Sequence, residues 1–174
     1  MKKRITVKNI VILGLLIALY VVLNEVSKLI SLPFGSNIRL ALNFLPVVCG
    51  AVLFGPIEAA IVGGVGDVLG AFLFPTGPFF PGFTLTAVLT GLIHGLFLHK
   101  KVTLPRVLIS FGIVQFVFGM LLNTLWLTIL YEKGFLIFLP GRTIQAVVSF
   151  IVEVLLTLLL HKILFQRLRK FVDV

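Results

Sequence analysis

Asp67 stands eleven residues into an apolar run that begins at Pro56, and no aqueous loop is near enough to solvate it. A charge at that depth costs about 2.5–3.5 kcal/mol on insertion scales, so it needs a partner or a ligand. Two further polar series share its level. Gln115, Gly119, Asn123 and Trp126 are spaced 4, 4 and 3, which puts them on one helical face. Arg142, Gln145, Ser149 and Glu153 are spaced 3, 4 and 4, a second stripe. Asn43 follows Arg39 closely, Thr84, Thr86 and Thr90 enter from a third segment, and Asn24 and Glu25 close a fourth. Amides, hydroxyls, carboxylates and guanidinium groups suit the binding of a polar, partly anionic small molecule.

The segments that must hold these groups are membrane helices. Of the 174 residues, 59% are hydrophobic and 12% charged. Soluble domains carry roughly twice that share of charge, so lipid has to cover the outside. A spanning helix needs roughly 20 apolar residues. Six segments approach that, at 9–27, 41–55, 56–74, 83–99, 106–130 and 141–165, and form one domain over 1–174. Phe54-Gly55-Pro56 reads as a tight turn between the second and third. The expected fold is therefore an all-α six-helix bundle.

The formal charge of +9 resides in short clusters between apolar runs. Eleven Lys and Arg fall on one side and four (Lys28, Arg39, Lys133, Arg142) on the other. The basic side is the inner one, so both termini are expected in the cytoplasm, and the charge is read as topology, not nucleic-acid binding. The outward loops are then 28–40, 75–82 and 131–140. The second, Phe74-Pro75-Thr76-Gly77-Pro78-Phe79-Phe80-Pro81-Gly82, is stiffened by proline. It is either a plain connector or a lid in which Phe79 and Phe80 cover a pocket.

With this orientation, the polar groups gather in the outer half of the bundle. The inner half is nearly bare except for Glu58 and His94. A channel would distribute polar groups along its full length; this pattern is that of a pocket open outward and closed below. Structural roles compete at each position. Asp67 can pair with Arg142, Asn123 and Gln145 can join helices, and Trp126 can sit in an interfacial belt. Glu153 reads as structural more readily than as a ligand contact, and His94, between Gly91 and Gly95, reads as a packing histidine.

Several chemistries are excluded. No P-loop, His-Glu-x-x-His or Gly-x-Ser-x-Gly occurs. Cys49 is the single cysteine, so an internal disulfide or thiolate metal site is ruled out. Lys2, Lys3 and Arg4 precede an apolar run without a small-residue cleavage pattern, and a retained first helix is expected. No catalytic residue, metal site or cofactor is expected. A membrane-embedded enzyme acting on a lipid or isoprenoid remains the alternative from another class, and a scaffold subunit without a ligand is a third.

The chain resembles the substrate-binding S components of energy-coupling factor (ECF) vitamin transporters, ABC-type importers, and among them the folate-specific FolT-type family. The resemblance covers nearly the whole chain. It is carried by Gly14 and Ala18 on the first helix, by Gly55-Pro56 through Gly66-Asp67-Val68-Leu69-Gly70 to the 75–82 loop, by Asn123-Thr124-Leu125-Trp126-Leu127 and by Pro140-Gly141-Arg142-Thr143-Ile144-Gln145. It implies capture of a vitamin from outside, most closely folate as the transported ligand. It also implies docking on a membrane coupling protein with two ATPase subunits, toppling driven by their ATP hydrolysis, and no enzyme activity of the chain itself. Gly14 and Ala18 would be the docking contacts. The expected ligand contacts are Arg39, Asn43, Asp67, Phe79, Phe80, Asn123, Trp126, Arg142 and Gln145. Asp67, Asn123 and Trp126 would meet the flat pterin, Arg39 and Arg142 the glutamyl carboxylates, and Lys28 and Lys133 would steer anions. A thiamine cation would prefer acids and an aromatic cage to this basic rim. An S component for another vitamin remains the nearest alternative.

Overall fold

The computed structural model describes residues 7–29, 31–32, 38–39, 41–75, 77–132 and 134–162. Helix α1 (Val7–Leu29) leads to a two-residue antiparallel pair, β1 (Ser31–Leu32) with β2 (Ile38–Arg39). There follow α2 (Phe44–Leu53), α3 (Pro56–Leu73) and α4 (Pro81–Leu98). One continuous rod then runs over Leu104–Tyr131. It consists of α5 (Leu104–Gly112), a π-helical segment (Ile113–Leu122) and α6 (Asn123–Tyr131). Helix α7 (Phe135–Leu160) completes the bundle.

Five of these, α1, α3, α4, the α5–α6 rod and α7, are long and apolar enough to cross a bilayer. The expected second span at 41–55 is shorter than that. Helix α2 has 10 residues, or about 15 Å of rise, half the hydrocarbon thickness. Its stop is local: Gly55 takes φ 123°, a conformation that L-residues avoid, and Pro56 then begins α3. Eight of its residues are buried, among them Phe44, Val48 and Val52. A helix apolar all round and covered by its neighbours belongs to the core.

Two other boundaries move. Helix α7 starts at Phe135, six residues before the expected 141, and carries Pro140 inside it. Pro140 lies close enough to the start that only one internal hydrogen bond is forfeited. The outward connector expected at 131–140 shrinks to 132–134, turned by Glu132 at φ 52°. The end expected at 165 lies outside the described residues.

Helices α3 and α4 run antiparallel in closest contact. A Cβ on Gly91 would meet the Ala59 backbone, and one on Gly95 the Pro56 backbone. Small residues therefore draw two membrane helices together where no hydrophobic driving force is available. The opposite face of α3 shows Ile57, Ile61, Val65 and Leu69, all exposed at i+4 spacing, as lipid contact requires. Between α2, α4, α5 and α7, Val48, Val52, Leu98, Val107, Phe111 and Val154 form a buried apolar plug.

Candidate ligand-binding site

Above that plug lie two cavities that share Asp67, Phe83 and Arg142. The inner has a volume of about 250 Å³ and the outer about 550 Å³. Taken together they fall in the range of small-molecule sites, about 300–1,000 Å³.

Helix α7 gives the inner cavity its polar ladder. Arg142, Gln145, Ser149 and Glu153 all line it. Eleven residues separate the first from the last, about 16 Å along the axis. Arg142 is at the junction of the two cavities, with Nη1 donating to Gln145 Oε1 at 3.3 Å. Glu153 is 3% exposed, and Gln115 Nε2 donates to its Oε2 at 2.6 Å.

The opposite wall depends on the π segment. Val114, Gln115, Phe118, Gly119 and Asn123 all line the inner cavity. An α-helix turns about 100° per residue, so nine residues would put Val114 and Asn123 on opposite faces. A π-helix bonds i to i+5 and holds more than four residues per turn, so nine residues make close to two turns. The π segment thus brings Val114 and Phe118 onto the cavity face that carries Asn123. Asn123 Oδ1 is buried there without a hydrogen-bond partner.

On α3 and α4, Thr84 Oγ1 donates to Asp67 Oδ2 at 2.7 Å, fixing a carboxylate that faces both cavities. Thr86, Thr90 and His94 continue down α4. His94 is fully buried; its Nδ1 is 2.8 Å from Ser110 Oγ, and its Nε2 has no hydrogen-bond partner. The outer cavity is walled by Phe74, Phe79, Phe80, Phe83, Tyr131 and Lys28. Lys28 Nζ is already engaged by Glu25 Oε1 at 2.5 Å and by the Phe74 carbonyl at 3.4 Å.

Of the expected contacts, Asn43, Asp67, Asn123, Arg142 and Gln145 line the inner cavity. Phe79 and Phe80, with Asp67 and Arg142, line the outer. Trp126 lines neither of these two. Its Nε1 donates to Thr86 Oγ1 at 3.0 Å, and its ring packs 5.7 Å from that of Phe80, so it braces the wall from behind. Arg39 has a described backbone in β2, but its side chain lies outside the described residues, as does Lys133. Gly14 and Ala18 are exposed on α1, and a Cβ on Gly14 would touch nothing within 4 Å.

The expectation of a bare inner half is corrected in part. The apolar plug is present, but His94, Gln115 and Glu153 form a polar floor above it. Tyr20, Phe44, Phe83 and Phe118 also line the inner cavity and were not anticipated. Tyr20 precedes Asn24 by four residues, a same-face spacing that signals it; nothing distinguishes the three phenylalanines from the other fourteen. No group of three or more His, Cys, Asp or Glu able to hold a metal occurs among the described residues.

The family model described as "ECF-type riboflavin transporter, S component" matches residues 4–162. The chain belongs to this S-component family. Like other S components, it is a multi-pass membrane protein of a transport system. Its relatives include "Folate transporter FolT" of Clostridium novyi (strain NT), 40% identical over 114 residues, 65% of this chain and 66% of that protein. "Folate transporter FolT" of Leuconostoc mesenteroides is 30% identical over 159 residues, 87% of this S component and 83% of that protein. Among solved structures, "Crystal structure of FolT bound with folic acid" superposes with TM-score 0.75 at 35% identity. It covers 87% of this chain and 89% of that one.

Proposed function

We propose that this S component captures folate from outside the cell and hands it to an ATP-driven module. The observation that carries the reading is the two-lobed cavity with Arg142 at the junction, on a frame similar to that of FolT with folic acid. Folate is a flat, hydrogen-bonding pterin joined through an aromatic ring to a tail with two carboxylates. The narrow inner lobe, with amides and carboxylates on its walls, suits the ring. The wider outer lobe, with its phenylalanines, suits the linker and tail. A guanidinium at the junction offers a carboxylate charge-assisted, paired hydrogen bonds. Asn43, Asp67, Asn123 and Gln145 are assigned to the ring, Phe79 and Phe80 to the linker, and Arg142 and Arg39 to the tail. Trp126 supports Thr86 and Phe80.

Transport requires a partner, because the chain has no P-loop. The partners are a membrane coupling protein and two ATPase subunits. The open face around Gly14 and Ala18 on α1 supports docking of the coupling protein there. Both termini face the cytoplasm, as the Lys and Arg bias requires. The plug of Val48, Val52, Leu98, Val107, Phe111 and Val154 closes the pocket inward, so release needs a rigid-body reorientation driven by ATP on the partners.

The name of the family model favours a second reading, with riboflavin as the vitamin. Trp126 is the single tryptophan and sits one hydrogen bond from the inner wall. Titration of the purified chain with folate should quench its fluorescence saturably at micromolar ligand or below. Saturation by riboflavin with no response to folate would replace the proposal with the second reading.

A further inference from the structure

The folate reading leaves open what the cavity floor recognises, and there the chain carries a buried carboxylate. Glu153 is almost completely buried among membrane helices, yet no cation is bonded to it among the described residues. Its one hydrogen bond is to the Gln115 amide, which fixes its orientation. In the lining of the same cavity, His94 Nε2 is buried without a partner. Its other nitrogen is held by the fully buried Ser110. When the Ser110 hydroxyl donates to Nδ1, the ring proton is on Nε2, which is then a buried donor without an acceptor. Two buried, oriented groups of opposite hydrogen-bonding sense thus meet whatever reaches the floor.

That pattern discriminates between rings. A 2-amino-4-oxo pteridine offers an oxygen at C4, an N–H at N3 and an amino group at C2, an acceptor followed by two donors. The pyrimidine edge of a flavin, or of a lumazine, offers oxygen, N–H and oxygen. A carboxylate accepts from two adjacent N–H groups, and a histidine N–H donates to the neighbouring oxygen. The flavin edge would instead set its C2 oxygen against the carboxylate. We propose that Glu153, oriented by Gln115 in a cavity that His94 also lines, is the specificity determinant that selects 2-amino-4-oxo rings over 2,4-dioxo rings. The inference rests on the folate reading for the orientation of the ligand, ring down and tail outward. It assigns the pyrimidine edge to Glu153 and leaves Asp67, which lines both cavities, to the rest of the ring. A hydrogen-bonding site of this kind rejects a mismatched analogue strongly because its own buried groups are then left unpaired.

The test uses purified full-length protein and two ligands that differ only at C2, 6-methylpterin and 6-methyllumazine, together with folate and riboflavin. The unmodified protein should bind the pterin at least tenfold more tightly than the lumazine. E153Q, which keeps the shape and supplies a donor, should weaken folate binding about 100-fold and reverse the pterin–lumazine preference. Equal binding of the two rings by the unmodified protein overturns the proposal, whether or not the variant folds. Unchanged folate affinity in a folded E153Q also overturns it, as does loss of the preference in D67N but not in E153Q. In those cases tight binding of folate by the unmodified protein leaves the folate reading standing. A protein that binds riboflavin and not folate overturns both.

Discussion

Replacing Arg142 by alanine should weaken folate binding by about 1.5–3 kcal/mol, the range for hydrogen bonds to charged groups. That corresponds to roughly 10- to 150-fold in Kd. The magnitude follows from the guanidinium's position. Arg142 lines both cavities and is half-buried, so water screens it incompletely. Its Nη1 donates to Gln145 Oε1 at 3.3 Å, and the planar guanidinium fork matches the two oxygens of a carboxylate. Arg142→Lys should recover only part of the loss, because an ammonium keeps the charge and loses the fork. Calorimetry with folic acid and with its dimethyl ester separates tail recognition from general damage. If Arg142 meets a tail carboxylate, the alanine variant should lose affinity for folic acid and change little toward the ester. Equal losses for both ligands, or no loss for either, would refute the reasoning.

Three further outcomes are expected. Gly91→Leu forces a side chain into the Ala59 backbone and should destabilise the bundle by about 1–3 kcal/mol or more, read as a lower melting temperature in detergent. Gly14→Leu combined with Ala18→Leu should leave folate affinity of the isolated chain intact but reduce uptake by cells that supply the coupling protein and ATPases; normal uptake would remove α1 from the docking surface. Asn123→Ala removes a buried amide whose Oδ1 has no hydrogen-bond partner in the cavity wall, and folate affinity should fall by about tenfold, the worth of roughly 1.4 kcal/mol; unchanged affinity would remove Asn123 from the site.

Much of the site could be read from spacing because membrane helices penalise every polar side chain. Asp67, Asn123, Arg142 and Gln145 lie in apolar runs at helical intervals, and the structure gathers them around one cavity. Other features depend on packing and leave little local trace. The period of 3.6 says nothing of a π segment, so Val114 and Phe118 went unrecognised beside Asn123. Trp126 falls on the expected stripe, yet Thr86 and Phe80 engage it behind the wall. Glu153 follows the same stripe as Arg142, but only its burial beside Gln115 distinguishes a cavity floor from an interhelical tie. The last helix was expected from 141, while α7 begins at Phe135 and absorbs Pro140. The brevity of α2 was signalled by Gly55-Pro56 at one end and concealed at the other by a run over 41–53 that is apolar except for Asn43.

The central claim concerns what occupies a pocket sealed below by hydrocarbon and lined above by Asn123, Arg142 and Glu153. The most direct measurement is chemical identification of the small molecule released by denaturing chain purified without added vitamin, followed by back-titration of the emptied protein. A folate that rebinds at one per chain is the predicted result. A flavin in the extract, or emptied protein that folate fails to saturate, would contradict it.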